Sequence, residues 1–575
     1  MYQSENITVA THLTNRLAEI GIRHLFGVPG DYNLVFLDSV IAHPDVTWVG
    51  NANELNAAYA ADAYGRCRGA AALATTFGVG ELSAINGLAG SYAEYVPVLQ
   101  IVGAPSTRSQ KAREVLHHTL GDGHFGQFEK MHEAVTVARA FVTPENAVAE
   151  IDRVIGEMLL HRRPGYLVLP TDVVNAPVSN VPPFKHLSAC CDKESLAKFR
   201  EHAARLVSDS PKVAVLADFL ADRFNARSPL FDLINEGNLP HAAMLLGKGL
   251  LDETVPNFTG TYVGASGSQT AKACIEEADP LISVGVLLTD VITAGFSHKL
   301  NRDRTIDLQP FHANIAGVQY RDVPMHEALG VLTELVVKRP HLAESAPLVR
   351  AAIEAPVATA NESIITQSAF WNRMERFLRP SDLVVAEQGT SFFGIGARQL
   401  PADAKFIGQP LWGSIGYAIP AAYGAGTACP DRRVVLFVGD GSAHLSAQEL
   451  GSMLRDRMKP VIFVLNNDGY TVERAIHGAT QRYNDIASWN WQLLAQALGA
   501  GSPSESLRAG TLAELERALV EAEASDCLTL VEVMLPKQDV PELLAAITRG
   551  VATINGSKRA MSLDGEMLSD RAKGC

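Results

Sequence analysis

Two apolar runs of five residues, 434–438 and 461–465, each end on a short polar string, Gly439-Asp440-Gly441-Ser442 after the first and Asn466-Asn467 after the second. Runs of this length, rich in Val, Ile and Phe and flanked by turn-forming residues, predict buried parallel strands. Between them Ser446 and Glu449 have the spacing of a capping box, with Leu450, Met453 and Leu454 following at helical spacing, so the stretch predicts a βαβ unit. Open parallel sheets bind ligands at the carboxyl ends of their strands, which is where both polar strings fall. A carboxylate and an amide there suit magnesium, which takes near-octahedral oxygen ligands and shares them with phosphate oxygens and water. Asp440, the Asn467 side-chain oxygen and the Gly469 main-chain oxygen would supply the protein's share around a diphosphate, with Gly439, Gly441, Ser442 and Tyr470 completing the module. Gly-Asp-Gly alone is more often a turn. The second copy, Gly121-Asp122-Gly123, lacks the preceding strand and the trailing Asn pair, and is read as one.

The chain has 575 residues, too long for one ordinary core. Strand-like runs at 23–28, 71–75 and 98–102 alternate with longer helical patterns, the signature of an α/β protein. Proline-bearing stretches at 175–186 and 340–363 read as linkers. The expected architecture is three domains, each a mainly parallel sheet flanked by helices, at 1–180, 195–340 and 362–550, with a polar tail at 551–575. In the middle domain, strands are expected at 213–217 and 281–286, and Gly247-Lys248-Gly249 reads as a turn, too short for a dinucleotide fingerprint. A net charge of −14 argues against a nucleic-acid partner. No apolar stretch is long enough for a bilayer, and the amino terminus shows no secretory pattern, so a cytoplasmic enzyme is expected. The seven cysteines are scattered without CxxC spacing and are expected to be reduced.

Three strings in the first third add to the module: Gly27-Val28-Pro29-Gly30-Asp31-Tyr32-Asn33, Asn53-Glu54-Leu55-Asn56-Ala57-Ala58, and Leu116-His117-His118-Thr119-Leu120. With Glu387-Gln388-Gly389-Thr390-Ser391-Phe392-Phe393, Gln409-Pro410-Leu411-Trp412-Gly413-Ser414-Ile415-Gly416 and Asn467-Asp468-Gly469-Tyr470-Thr471-Val472-Glu473, they span essentially the whole chain. Together they resemble the thiamine-diphosphate-dependent 2-oxo acid decarboxylases, nearest to the indolepyruvate, phenylpyruvate and branched-chain decarboxylases.

That resemblance implies thiamine diphosphate and Mg2+ as cofactors, a pyrimidine-binding first domain, a cofactor-free middle domain and a diphosphate-binding last domain. It also implies that the cofactor lies between the first domain of one subunit and the last domain of another. The implied unit is therefore a homodimer at minimum, usually paired into a tetramer, acting on a small-molecule 2-oxo acid. A 2-oxo acid loses carbon dioxide only if an electron sink accepts the departing pair, and the thiazolium ylid is that sink. Glu54, ahead of an apolar helical stretch, would be desolvated and share a proton with the pyrimidine ring. Ile415 would prop the cofactor in its V shape, main-chain groups of Gly413 and Ile415 would bind the pyrimidine edge, and Ser414 lies in the same string. Asp31, His117, His118 and Glu473 match the proton-handling residues that release the aldehyde. Thr76 and Thr390 match hydroxyls near the cofactor, and Tyr32, Gln388, Phe392, Phe393 and Val472 the substrate pocket.

Val472 stands where pyruvate decarboxylases tend to carry isoleucine, which enlarges the pocket, while Phe392 acts in the opposite direction. The expectation is a preference for medium to large side chains, with pyruvate decarboxylase as the alternative. An acetohydroxyacid-synthase-type carboligase lacks the histidine pair, and a cofactor-binding structural protein would not need an intact acid–base set. Yeast-type relatives carry a regulatory cysteine after an Ala-Asp pair, whereas Ala217-Asp218 is followed here by Phe219-Leu220. Blocking the thiols should leave the shape of the rate-versus-substrate curve unchanged; a sigmoidal curve that the block abolishes would contradict this.

Overall fold

A computed structural model describes residues 7–208, 210, 212–338 and 363–554. The first domain holds strands β1 (His24–Gly27), β2 (Thr47–Gly50), β3 (Ala71–Thr76), β4 (Val98–Ala104), β5 (Ala138–Phe141) and β6 (Gly165–Pro170), paired in the order β2-β1-β3-β4-β6-β5. All of these pairings are parallel. The central strands β3, β4 and β6 are buried at every position, as their largely apolar character requires, with Thr75, Thr76 and Gln100 as buried polar exceptions.

The middle sheet comprises β7 (Ala214–Ala217), β8 (His241–Met244), β9 (Phe258–Tyr262), β10 (Leu281–Val284), β11 (Thr305–Gln309), β12 (His312–Ile315) and β13 (Val318–Arg321), in the order β13-β12-β11-β10-β7-β8-β9. It is parallel except at one edge, where β11, β12 and β13 form an antiparallel meander. The third domain holds β14 (Leu383–Ala386), β15 (Lys405–Ile407), β16 (Val434–Gly439), β17 (Val461–Asn466), β18 (Ser504–Ala509) and β19 (Leu528–Met534), in the order β15-β14-β16-β17-β19-β18. Counted from its own first strand, this is the order of the first sheet, and again every pairing is parallel.

The expected architecture, a mainly parallel sheet flanked by helices, is thus present in all three domains. The expected linker at 340–363 falls almost wholly outside the described residues, and so does most of the tail. The tail boundary moves, because the helix Glu542–Ile554 runs past residue 550, buried along Leu543, Leu544, Ile547 and Ala552. Gly247-Lys248-Gly249 lies in a turn with Gly249 at φ +77°, and Gly121-Asp122-Gly123 forms a bend with its glycines at φ +76° and +70°. No described helix is long and apolar enough to cross a membrane.

The seam between first and third domains explains the alanine-rich composition of two helices. Glu54–Arg68 is buried at nearly every position from Asn56 to Arg66, and it lies against Ala418–Ala428, which is almost as fully buried. Small side chains let the two backbones approach, and a Cβ on Gly424 would overlap the Ala60 carbonyl oxygen. Gly424→Val should therefore cost at least about 1–3 kcal/mol of stability, the usual penalty of overpacking. Urea denaturation of the cofactor-free protein checks this, and an unchanged midpoint would show that the seam is looser than described.

Candidate active site

Glycine at position 469, with φ +120°, lets the chain after β17 fold back so that its N–H donates to Asp440 Oδ2 at 3.1 Å. A second main-chain donor, Gly441 N, reaches Asp440 Oδ1 at 2.8 Å. The Asn467 amide then closes the cluster: one of its two terminal atoms stands 3.2 Å from Asp440 Oδ1 and 2.9 Å from the Gly469 carbonyl oxygen. If that atom is the nitrogen it donates to both; if it is the oxygen, three oxygens converge with no proton between them. The second arrangement is the one a hard cation selects. Burial pushes the Asp440 carboxyl up to about 6, a cost that a bound cation would relieve.

These residues open onto a cleft of about 350 Å³ at the carboxyl ends of β14, β16 and β17. Its lining includes Gln388, Thr390, Gly413, Ile415, Gly439, Gly441, Ser442, Tyr470, Val472 and Glu473, all expected from the sequence. Two buried polar atoms on its wall, Gln388 Oε1 and Ser391 Oγ, have no hydrogen-bond partner among the described residues.

The remaining expected residues cluster at the carboxyl edge of the first sheet. Asp31 follows β1, Glu54 follows β2 and Thr76 ends β3. Gly30 and Gly80 keep them together, since a Cβ on Gly30 would strike Thr76 and one on Gly80 would crowd both Glu54 Oε1 and Thr76. His117 Nε2 lies 2.7 Å from Asp31 Oδ2, and His118 Nε2 3.9 Å from Asp31 Oδ1. Tyr32 stacks on His117 at 4.9 Å between ring centroids. His118 has φ +58°, and its carbonyl leaves no room for a Cβ on Gly78. The N–H of Gly78 is held at 2.8 Å by the buried Glu81, whose other oxygen accepts from Tyr166 Oη at 2.5 Å. Among the described residues lining the cleft, none comes from the first domain, so one chain carries two separate clusters.

Family models agree with this division. The thiamine pyrophosphate enzyme N-terminal, central and C-terminal domains match residues 7–129, 200–335 and 392–533. Over 548 residues the chain is 47% identical to an alpha-keto-acid decarboxylase of Mycobacterium leprae, covering 94% of this chain and 95% of that one. The chain belongs to the thiamine-diphosphate-dependent 2-oxo acid decarboxylase family. A relative of the same name from Mycolicibacterium paratuberculosis is 47% identical over 557 residues, 96% of this chain and 98% of its own. In fold, the chain matches an X-ray structure described as a thiamin diphosphate-dependent enzyme from Mycobacterium smegmatis, with a TM-score of 0.75 over 92% of this chain and all of that one, at 20% identity.

The donor set fits thiamine diphosphate: an oxygen cluster for a cation beside the diphosphate, and unpartnered polar atoms on the wall above it.

Several sequence expectations need correction. Ser446 and Glu449 form no capping box. The helix Glu449–Arg455 starts after Gln448 without a side-chain cap, and the Glu449 carboxylate instead accepts from Asn51 Nδ2, Ala52 N and Asn56 Nδ2 at 2.9–3.2 Å, across the domain seam. Glu54 is half-buried in the single chain, at the open carboxyl edge of its sheet. The Ser414 hydroxyl does not line the cleft; it bonds Tyr59 Oη at 2.6 Å and accepts from Asn86 Nδ2 at 3.1 Å. Phe392 and Phe393 are buried in the core, with Phe392 packed on Phe406 and against Gly408, and neither lines the cleft.

Seven lining residues were not among the expected site residues: Val291 from the middle domain and Gly389, Ser391, Pro410, Leu411, Thr471 and Ile476 from the third. Leu411 and Ser391 stood inside strings already quoted, whereas Val291 had no local signal.

Saturation at about 100 times Kd should stabilise the cofactor-free protein by about 2.7 kcal/mol, through selective binding to the native state. Asp440→Ala should abolish that shift on adding thiamine diphosphate with magnesium, while leaving the melting temperature of the cofactor-free protein close to the parent. A full thermal shift in the variant would remove Asp440 from the cation site.

Proposed function

We propose that the chain decarboxylates 2-oxo acids without oxidation, releases the corresponding aldehyde and favours medium to large side chains. We infer also that it works as a homodimer or a pair of homodimers, in the cytoplasm, with the first-domain cluster of one chain facing the third-domain cleft of another. The observation that carries this reading is the cleft itself: an oxygen cluster at its floor and Val291, Leu411, Val472 and Ile476 around it, with Glu473 exposed alongside. The relatives' name, alpha-keto-acid decarboxylase, supports the reaction class.

Asp440, the Asn467 amide oxygen and the Gly469 carbonyl would hold magnesium and, through it, the diphosphate. Main-chain groups of Gly413 and Ile415 would take the aminopyrimidine edge, with the Ile415 side chain beneath it. Thiamine diphosphate, when bound, supplies the electron sink that decarboxylation of a 2-oxo acid requires. Glu54 would hold and return a proton at the pyrimidine ring. Asp31 and His117, 2.7 Å apart, would with His118 and Glu473 deliver and remove the protons that aldehyde release needs. The apolar walls exclude water from this exchange and accept the substrate side chain.

Phe392 no longer bears on substrate size, since its ring is directed into the core. Val472 does: its Cγ2 would stand 3.4 Å from a Cβ on Gly389, so its branch shapes the cleft wall. Initial rates with pyruvate, 2-oxoisovalerate, phenylpyruvate, indolepyruvate and benzoylformate should give larger kcat/KM for phenylpyruvate and 2-oxoisovalerate than for pyruvate. Val472→Ile should shift that ratio toward pyruvate by about tenfold, the lower range for one methylene. Pyruvate leading in the parent enzyme would replace this reading with a pyruvate decarboxylase.

A further inference from the structure

Glu387 is the first residue beyond β14 and is 1% exposed. Its main chain continues the sheet, donating from N to the Phe437 carbonyl at 2.9 Å, and its own carbonyl accepts from Phe392 N at 2.9 Å. The side chain is bound by main-chain donors alone among the described residues. Oε1 accepts from Gln388 N at 3.1 Å, and Oε2 from Gly416 N at 3.1 Å and Ala418 N at 3.0 Å. Burial pushes the carboxyl up to about 7 against the pull of these three N–H groups.

The partners belong to two walls of the cleft. Gln388 and Gly389 form the turn into the helix Thr390–Gly396, whose first residues are Thr390 and Ser391; Gly416 and Ala418 close the loop that carries Gly413 and Ile415. That loop belongs to no helix or strand from Gln409 to Tyr417, and it turns through left-handed glycines, φ +68° at Gly413 and +89° at Gly416. Its far side is fixed by the first domain, where Trp412 Nε1 donates to Asn86 Oδ1 at 2.9 Å and the Ser414 hydroxyl meets Tyr59. On the cleft side, Glu387 is what holds it. Burying a carboxyl with no cationic partner is costly, and a neutral side chain would fold more cheaply. A single carboxylate has acceptors enough for N–H groups from both walls, which a neutral amide cannot match.

We infer that Glu387 is a positioning residue: without touching cofactor or substrate, it ties the 388–391 wall to the 413–418 wall and so sets where Ile415 stands over the cleft. This rests on the proposed role of Ile415. Glu387→Gln keeps the volume but turns an amide N–H2 toward one of the main-chain donors.

Hydrogen exchange of the cofactor-free protein should show peptides over 413–418 opening about tenfold faster in Glu387→Gln, with 439–442 unchanged. With saturating thiamine diphosphate and magnesium, kcat should fall about tenfold or more while KM moves by less than about threefold, the pattern of a misplaced reacting geometry. Glu387→Asp should recover part of kcat, and it replaces Glu387→Gln in both measurements if that variant fails to fold. Unchanged exchange with a parental kcat would overturn the inference, and so would an equal loosening of both segments with a lowered melting temperature. A parent enzyme inactive on every 2-oxo acid would instead defeat the functional reading, leaving the exchange measurement to decide the role of Glu387.

Discussion

Buried charge at the seam of the first and third domains is the constraint on which the rest of the chain depends. Arg66 donates to Asp62 Oδ1 at 2.6 Å, to Glu94 Oε2 at 2.8 Å and to the Gly408 carbonyl at 3.0 Å. Asp62 also accepts from Tyr417 Oη at 2.6 Å, and Glu94 from Leu411 N at 2.9 Å and Trp412 N at 3.2 Å. Four of these six bonds cross the domain boundary. An isolated charge in such a place would cost several kcal/mol; Arg66, Asp62 and Glu94 neutralise one another within the first domain, and the third domain supplies the neutral donors and the acceptor that complete their hydrogen bonds. The network therefore makes the two domains one unit more strictly than apolar contact could, because apolar faces can slide whereas these donors and acceptors match in one register only.

That register reaches the chemistry on both sides. On one, the helix Glu54–Arg68 begins with Glu54 and carries Tyr59, Asp62 and Arg66 on the seam. On the other, residues 409–418 pass from the Arg66–Glu94 network to the Ser414 contact and on to Gly416 and Ala418, held by Glu387. Ile415 is placed by bonds on either side of it rather than by the packing of its own side chain, which is only partly buried.

Much of this was legible in the sequence because much of it is local. An apolar run followed by a polar string reveals both a doubly covered strand and what its carboxyl end delivers, and Asp440, Asn467 and Gly469 follow from that pattern without any distant residue. The three-domain α/β plan follows from the same alternation. What could not be read depends on partners far along the chain. Ser446 and Glu449 have capping-box spacing, yet the Glu449 carboxylate accepts from Asn51 and Asn56, some 390 to 400 residues away, instead of from its own helix end. Phe392 and Phe393 sit in a string that points to the cleft, but a helix directs neighbouring side chains roughly 100° apart, and the core claimed these two. Val291 reaches the cleft from another domain, and Glu387 matters only once its burial is known.

The first and third sheets share one strand order but carry unlike groups at their carboxyl edges, an Asp–His cluster on the first and an oxygen cluster on the third. If the two meet between chains, as proposed, inheritance follows an unusual rule. A chain damaged at Glu54 and a chain damaged at Asp440 would each be inert when paired with its own kind. In a mixed pair both lesions fall in one site and leave its twin whole, so two null alleles could together restore a working enzyme.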